Sequence, residues 1–195
     1  NSIGSVFGVA IYNDALQDMT RDLIERGIDA SQTAESYATL SPSDVPPGRF
    51  AWPSDMFALK TIELDYTNTG GANYLQAHKL DVSNLQGNTS WDYLRLNQPT
   101  GDPLFTNHGD TGEVFPTPTG NTLIRIFYYL TPTEATLVTD SVAYPQTLDY
   151  RMLSAKMTSL YYLSQENQSM ADTFEGEYQR RLNKVKNVLA PQSKQ

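Results

Sequence analysis

The sequence predicts an α+β fold: three main amphipathic helices, an N-terminal helix plus a C-terminal helical hairpin, with a small antiparallel β unit and a long Gly/Asn/Pro-rich loop. Three observations carry this. Val9, Tyr12, Leu16, Met19 and Leu23 recur at the three- and four-residue spacing of one helix face, and the same period returns twice near the C-terminus. Between them the apolar pattern switches to period two, the signature of strands. The order helix, β, helix, helix, with no regular βα alternation, argues for segregated layers around one core.

The first helix is predicted over about 5–26, with Gly27 as its stop. Asp14, Asp18, Asp22 and Glu25 make its polar face, with Arg21 spaced to pair with Glu25. Residues 29–49 are polar and end in SPSDVPPGR, where Pro42, Pro46 and Pro47 exclude regular structure. Ile62, Leu64 and Tyr66 then alternate with Thr61, Glu63 and Asp65, a half-buried strand. A Thr-Asn-Thr-Gly-Gly turn at 67–71 returns the chain as a second strand over 74–80. Residues 84–122 read as a long irregular region, with strand fragments at 93–96 and 113–115. LIRIFYYL at 123–130 is the strongest strand, ended by Thr131-Pro132. Val142–Pro145 leads into the hairpin: Leu148, Met152, Leu153, Met157, Leu160, Tyr161 and Leu163 form one helix, and Met170, Phe174, Tyr178, Leu182, Val185 and Leu189 the next.

The charge of −8 is uneven: residues 65–121 hold only Lys79 and Arg95 against six acids, whereas 145–195 hold seven basic and five acidic side chains. An acidic body argues against general duplex binding and suits a surface that repels DNA passing nearby. With no cysteine, disulfides, thiolate metal sites and thiol nucleophiles are excluded. No apolar run approaches a membrane span, and residues 1–10 lack the basic flank and apolar segment of a signal peptide. The sequons Asn88-Thr-Ser90 and Asn167-Gln-Ser169 read as chance.

Little in the chain points to catalysis. His108-Gly-Asp110 sets a base beside a carboxylate, but TNHGDTGE reads first as a solvated loop tip. His78 has no local acidic partner. Asp14 and Asp18 lie on a polar helix face, Asn107–Asp110 with Glu113 lacks calcium-loop register, and Gly4 and Gly8 do not follow a strand. No set of ligands at metal spacing is present, so no metal and no cofactor is expected. Arg180, Arg181, Lys184, Lys186 and Lys194 dress the C-terminal helix, where cations favour the helix dipole or an acidic partner. Tyr128, Tyr129, Tyr161, Tyr162 and Tyr178 cluster around the last strand and the hairpin. Neighbours in a strand point to opposite faces, so one of each pair is a candidate for a subunit interface. A Tyr-, Asn-, Thr- and Gly-rich middle with Trp91 and Tyr93 also fits a carbohydrate-binding module of a tail or cell-surface protein, the alternative reading.

The ordered series of motifs is more specific than any one of them. Phe50-Ala51-Trp52-Pro53-Ser54-Asp55-Met56-Phe57 leads into a strand, and a Gly-rich loop leads to Pro116-Thr117-Pro118. Tyr128-Tyr129-Leu130-Thr131-Pro132 ends a strand, and the hairpin carries Tyr161-Tyr162, Ala171 and Tyr178-Gln179-Arg180-Arg181-Leu182. Over roughly 5–190 this resembles the head-to-tail adaptor (connector, or head completion) proteins of tailed bacteriophages. The resemblance implies a virion protein of the neck, assembled in the host cytoplasm as a ring, usually of twelve copies. The ring joins the portal to the tail or a stopper, and DNA passes through it during packaging and ejection without specific binding. It implies a single adaptor domain over 1–190 with the β/loop insertion at about 58–131, a polar tail at 191–195, and no enzymatic step. By the same resemblance Arg180–Lys194 faces the portal, while the loop at 84–115 is longer than expected of the family. Trp52, Pro53 and Asp55 then read as structural: Pro53 fixes the turn, Asp55 accepts its backbone N–H groups, and Trp52 and Phe57 bury on the helical layer.

Overall fold

The computed structural model describes residues 3–28, 32–70, 73–80, 91–136 and 150–189. Two compact units emerge: a helical one, from residues 1–32 and 131–195, and a strand unit over 33–130. The lead into the hairpin at Val142–Pro145, the helix start at Leu148, the Asn88 sequon, the tail and Lys194 lie outside the described residues.

The helical unit holds α1 (Ile3–Glu25), α3 (Tyr150–Ser164) and α4 (Gln168–Leu189). The expected apolar faces meet in one core: Ala15, Leu16, Met19, Leu23, Ile28, Met152, Leu153, Ala155, Tyr178 and Leu182 are all buried. Burying each leucine-sized side chain contributes roughly 1.5–3 kcal/mol before the entropy of ordering it. The stop at Gly27 is a Schellman turn: Gly27, at φ 69°, donates to the Ile24 carbonyl and Ile28 to the Leu23 carbonyl, both at 2.9 Å. Ile28 then buries against the same core. Arg21 pairs with Asp18 at 3.1 Å instead of the expected Glu25.

The hairpin corner turns on two residues. Glu166 takes the left-handed conformation at φ 57°, with its N–H on the Leu163 carbonyl at 3.0 Å and Asn167 N–H on the Tyr162 carbonyl at 2.9 Å. Asn167 also starts α4, its Oδ1 accepting Met170 N–H at 3.2 Å. A sequon read as chance is therefore a helix cap.

The strand unit is much larger than the small β unit expected. Among the described residues it comprises β1 (Thr33–Leu40), β2 (Arg49–Ala51), β3 (Met56–Asp65), β4 (Leu75–Lys79), β5 (Leu104–Asn107), β6 (Thr111–Phe115) and β7 (Thr122–Leu130), with α2 at Trp91–Asn97. They form one mixed sheet in the order β1-β7-β3-β4-β5-β6-β2. Its two ends, β1 and β2, come into contact, so the sheet curls almost into a barrel. Pairing is antiparallel except for β4 with β5. The strands read at 59–66, 74–80 and 123–130 all form, and β7 lies between β1 and β3. The core gathers Leu40, Phe50, Ile62, Leu64, Ala77, Phe105, Val114, Ile124, Ile126 and Tyr128.

Three expectations are corrected. Thr33–Leu40 is a full-length strand on β7, although only Leu40 of its side chains is buried. Tyr93–Leu96 is helical, because tertiary contacts override β propensity: Leu94 buries and Arg95 bonds Asp92 and Glu113 at 2.9 and 2.7 Å. The long irregular region proves ordered wherever it is described, holding α2 and the β5–β6 hairpin. Gly112 is needed in that hairpin: the Phe50 ring lies over it, and a methyl group there would overlap the ring.

Candidate functional site

On the helical unit an aromatic chain crosses three helices. Phe7 of α1 meets Tyr161 of α3 edge-on at 6.4 Å, Tyr161 meets Tyr162 at 5.5 Å, and Tyr162 stacks on Phe174 of α4 at 5.7 Å. Phe7 stays 39% exposed and Tyr161 46%, beside Leu163 at 51%. Next to them, Phe7, Ile11, Met157 and Tyr161 line a shallow groove of about 330 Å³. Large aromatic surface left in water is the raw material of an interface.

The other tyrosine candidates sit elsewhere. Tyr178 is fully enclosed in the helical core, its hydroxyl donating to Asp22 at 2.7 Å, so its side chain offers no surface to a second chain. Burial, first, and the Asp22 hydrogen bond push its phenol well above the ordinary range. Tyr128 and Tyr129 point to opposite faces, yet both are buried within the chain. The Tyr128 hydroxyl donates to Asp55 at 3.0 Å, and the Lys60 ammonium lies 5.8 Å from the Tyr129 ring.

Of the basic residues at the end of α4, Arg180 and Lys184 are exposed. Arg181 bonds Glu177 at 2.7 Å, one turn earlier. Lys186 lies in the last turns of the helix.

The stretch around Pro53 is anchored inside the strand unit. Met56 N–H closes a turn onto the Pro53 carbonyl at 3.1 Å. The Asp55 carboxylate accepts the Tyr128 hydroxyl at 3.0 Å. Trp52 packs edge-on against Phe50 at 4.8 Å and joins the strand core, in place of the expected burial on a helical layer. Its indole N–H points at Asn107 Oδ1, 3.4 Å away.

One polar cluster escaped the sequence reading. Glu113 is completely buried, and three cationic or potentially cationic groups converge on it: Arg95 at 2.7 Å, His108 Nε2 at 3.0 Å and Arg49 at 3.4 Å. Burial alone would raise its pKa; Arg95 and then Arg49 outweigh that and hold it below the usual range. The carboxylate at hydrogen-bond distance from His108 is thus Glu113, and the His108–Asp110 pair expected of a hydrolase is replaced by an ion cluster pinning α2 and β2 to β6. Trp91, the platform a sugar would need, packs on Phe115 at 5.7 Å and on His108 at 5.8 Å. The signal for the cluster, a glutamate in a strand between apolar neighbours, was masked by the glycine- and asparagine-rich context.

Asn13 was also missed. Its amide grips the backbone of Ala135 in both directions, Nδ2 donating at 3.0 Å and Oδ1 accepting at 2.9 Å, which fastens the segment after β7 to α1. Among the described residues, no group of three or more His, Asp and Glu could hold a metal ion, and no helix is long and apolar enough to cross a membrane.

No curated protein sequence matches the chain. Compared with models of known families, residues 7–194 match the SU10 adaptor protein family. That span takes in both units, from the first exposed aromatic of α1 to the end of α4 and beyond. The chain belongs to the SU10 adaptor protein family and is a structural adaptor of a phage virion.

Proposed function

We propose that copies of this chain close into a ring, of twelve subunits by analogy with head-to-tail adaptors, that joins the portal to the tail and surrounds the DNA exit channel. The observation that carries the proposal is the aromatic chain Phe7–Tyr161–Tyr162 on a family member, in which Phe7 and Tyr161 are left exposed across the flank of α1 and α3. An adaptor must mate with several surfaces, and rigid aromatic anchors supply contact area at low entropic cost. In this reading Tyr161 and Tyr162 contact the neighbouring subunit, and Arg180, Lys184 and Lys186, with Lys194, meet the portal. Arg181 contributes less, since it is already paired with Glu177. The formal charge of −8 suits a channel wall that lets DNA slide by. The role is structural, with no reaction step, and assembly takes place in the host cytoplasm.

Electron microscopy of the purified chain mixed with its portal tests this. The proposal expects closed rings seated on the portal, lost in Tyr161→Glu while circular dichroism stays unchanged. Particles with bare portals and unassociated chains would overturn it.

A further inference from the structure

The two end strands of the sheet, β1 and β2, are not alike. β2 is three residues long, with Pro46 and Pro47 before it and Pro53 after it. A short edge flanked by prolines offers little to another chain. β1 is eight residues long and pairs with β7 in unbroken register, from Thr33–Tyr129 to Leu40–Thr122. It holds no proline, no lysine and no bulge, the devices that ordinarily protect an edge strand. Among the described residues, no backbone hydrogen bond joins β1 to anything but β7. β2 touches β1 but is too short to cover it, and Thr33, Glu35, Tyr37, Ala38 and Thr39 all stay exposed. In an antiparallel edge strand the backbone groups of alternate residues point away from the partner, so half of those in β1 face outward.

The side chains along this edge define what fits it. Ala34, Ser36 and Ala38 share a face with the buried Leu40, and Ala34 packs against the core of the strand unit. The core therefore ends here on small residues, with room for larger apolar side chains alongside. The opposite face carries Thr33, Glu35, Tyr37 and Thr39. The Tyr37 ring is 61% exposed, and its hydroxyl donates to Glu35 at 2.5 Å. Arg125, across from Tyr37 on β7, is bonded to Glu63 and lies against the Tyr74 and Phe127 rings at 4.4 and 4.9 Å. Glu35, across from Phe127, is the one charge on β1, and among the described residues no cationic side chain pairs with it.

We propose that β1 is an acceptor edge for an extended strand of another polypeptide, one that alternates cationic with bulky apolar side chains. Main-chain hydrogen bonds to the outward groups of β1 would supply the affinity, as in other strand additions. A lysine or arginine on one face of the incoming strand would meet Glu35 beside the Tyr37 ring. Its apolar residues, on the other face, would extend the core past Ala34, Ser36 and Ala38. The β1 of a second copy fits poorly, because TAESYATL brings another glutamate and again sets small side chains toward the core. The inference assumes neither a ring nor a portal, so it stands or falls separately from the function proposed above.

Amide hydrogen exchange of the full chain tests it, using three probe peptides at equal, saturating concentration: acetyl-(Lys-Val)3-amide, acetyl-(Glu-Val)3-amide, and the lysine peptide N-methylated at every residue. Alternate amides within 33–39 should exchange freely in the chain alone, and the lysine peptide should slow them roughly tenfold. The other two peptides should leave them unchanged. In Glu35→Lys, with β7 exchange confirming the fold, preference should pass to the glutamate peptide. No slowing by the lysine peptide would overturn the proposal, as would equal slowing by the glutamate or the methylated peptide. Protection of 33–39 that rises with chain concentration in the absence of peptide would assign the edge to a second copy and also overturn it. If the variant does not fold, the three peptides on the native chain decide.

Discussion

The Tyr178 hydroxyl donates to the Asp22 carboxylate at 2.7 Å, tying α4 to α1 inside the helical core. It is flanked by a second bridge: Lys156 of α3 reaches Asp18 at 3.5 Å and Glu175 at 3.2 Å. The acidic face of α1, read from the sequence as solvated, is therefore partly a polar seam between helices. A buried hydrogen bond to a charged group contributes about 1.5–3 kcal/mol. Tyr178→Phe should cost that much in urea denaturation of the isolated chain, whereas Tyr161→Phe should change stability by less than about 0.5 kcal/mol. Equal effects would mean that the two tyrosines share one environment.

Glu113 should be the most sensitive charge in the strand unit. Glu113→Gln leaves Arg95 and Arg49 facing a neutral group. The cost should be about 3 kcal/mol, the low end for breaking a buried pair, since both arginine side chains stay about one-third exposed. Thermal unfolding of the variant checks this, and a shift within 1 °C of the native midpoint would contradict the cluster's role.

Acid should loosen the β3–β4 turn first. Asp65 ends β3 and accepts the Thr67 hydroxyl, the Thr67 N–H at 2.9 Å, and the Thr69 and Gly70 N–H groups at 3.0 Å. The Thr67 hydroxyl leads the causes that hold its pKa down to about 2, against an ordinary 3.8. A depressed folded-state pKa means that its stabilisation is fully present above pH 4 and is lost as pH falls toward 2. Asp65→Asn should flatten the stability–pH curve in that window while lowering stability at pH 7. An unchanged acid limb would show that Asp65 does not contribute.

The corner between α3 and α4 should respond in opposite directions at adjacent positions. Asn167→Ala removes the α4 cap and should cost about 1 kcal/mol. Glu166→Gly relieves a left-handed residue that bears a side chain and should gain about 0.5 kcal/mol. Chemical denaturation midpoints give both signs directly.

Much of the helical unit was legible because its cores are written at helical spacing: Val9 to Leu23, and Met170 to Leu189, each repeat with little interruption. β7 was legible because eight β-forming residues run together. β1 was not, because TAESYATL buries little more than Leu40 and so carries no strong alternation. It is a strand because β7 offers it an edge. α2 was misread because Trp91, Tyr93 and Leu94 suit a strand as well as a helix, and the deciding contact, Arg95 with Glu113, spans eighteen residues. Tyr161 and Tyr178 were read alike, yet the first lies half exposed and the second is enclosed, because sequence spacing cannot separate a half-wet helix flank from a closed core.

The central claim is that this chain works by mating with copies of itself and with the portal. Light scattering of the purified chain, with and without its portal, measures that most directly. The account predicts a complex whose mass equals the portal plus a fixed number of copies, twelve by analogy. A chain that elutes at 21.8 kDa in both conditions, leaving the portal mass unchanged, would contradict it.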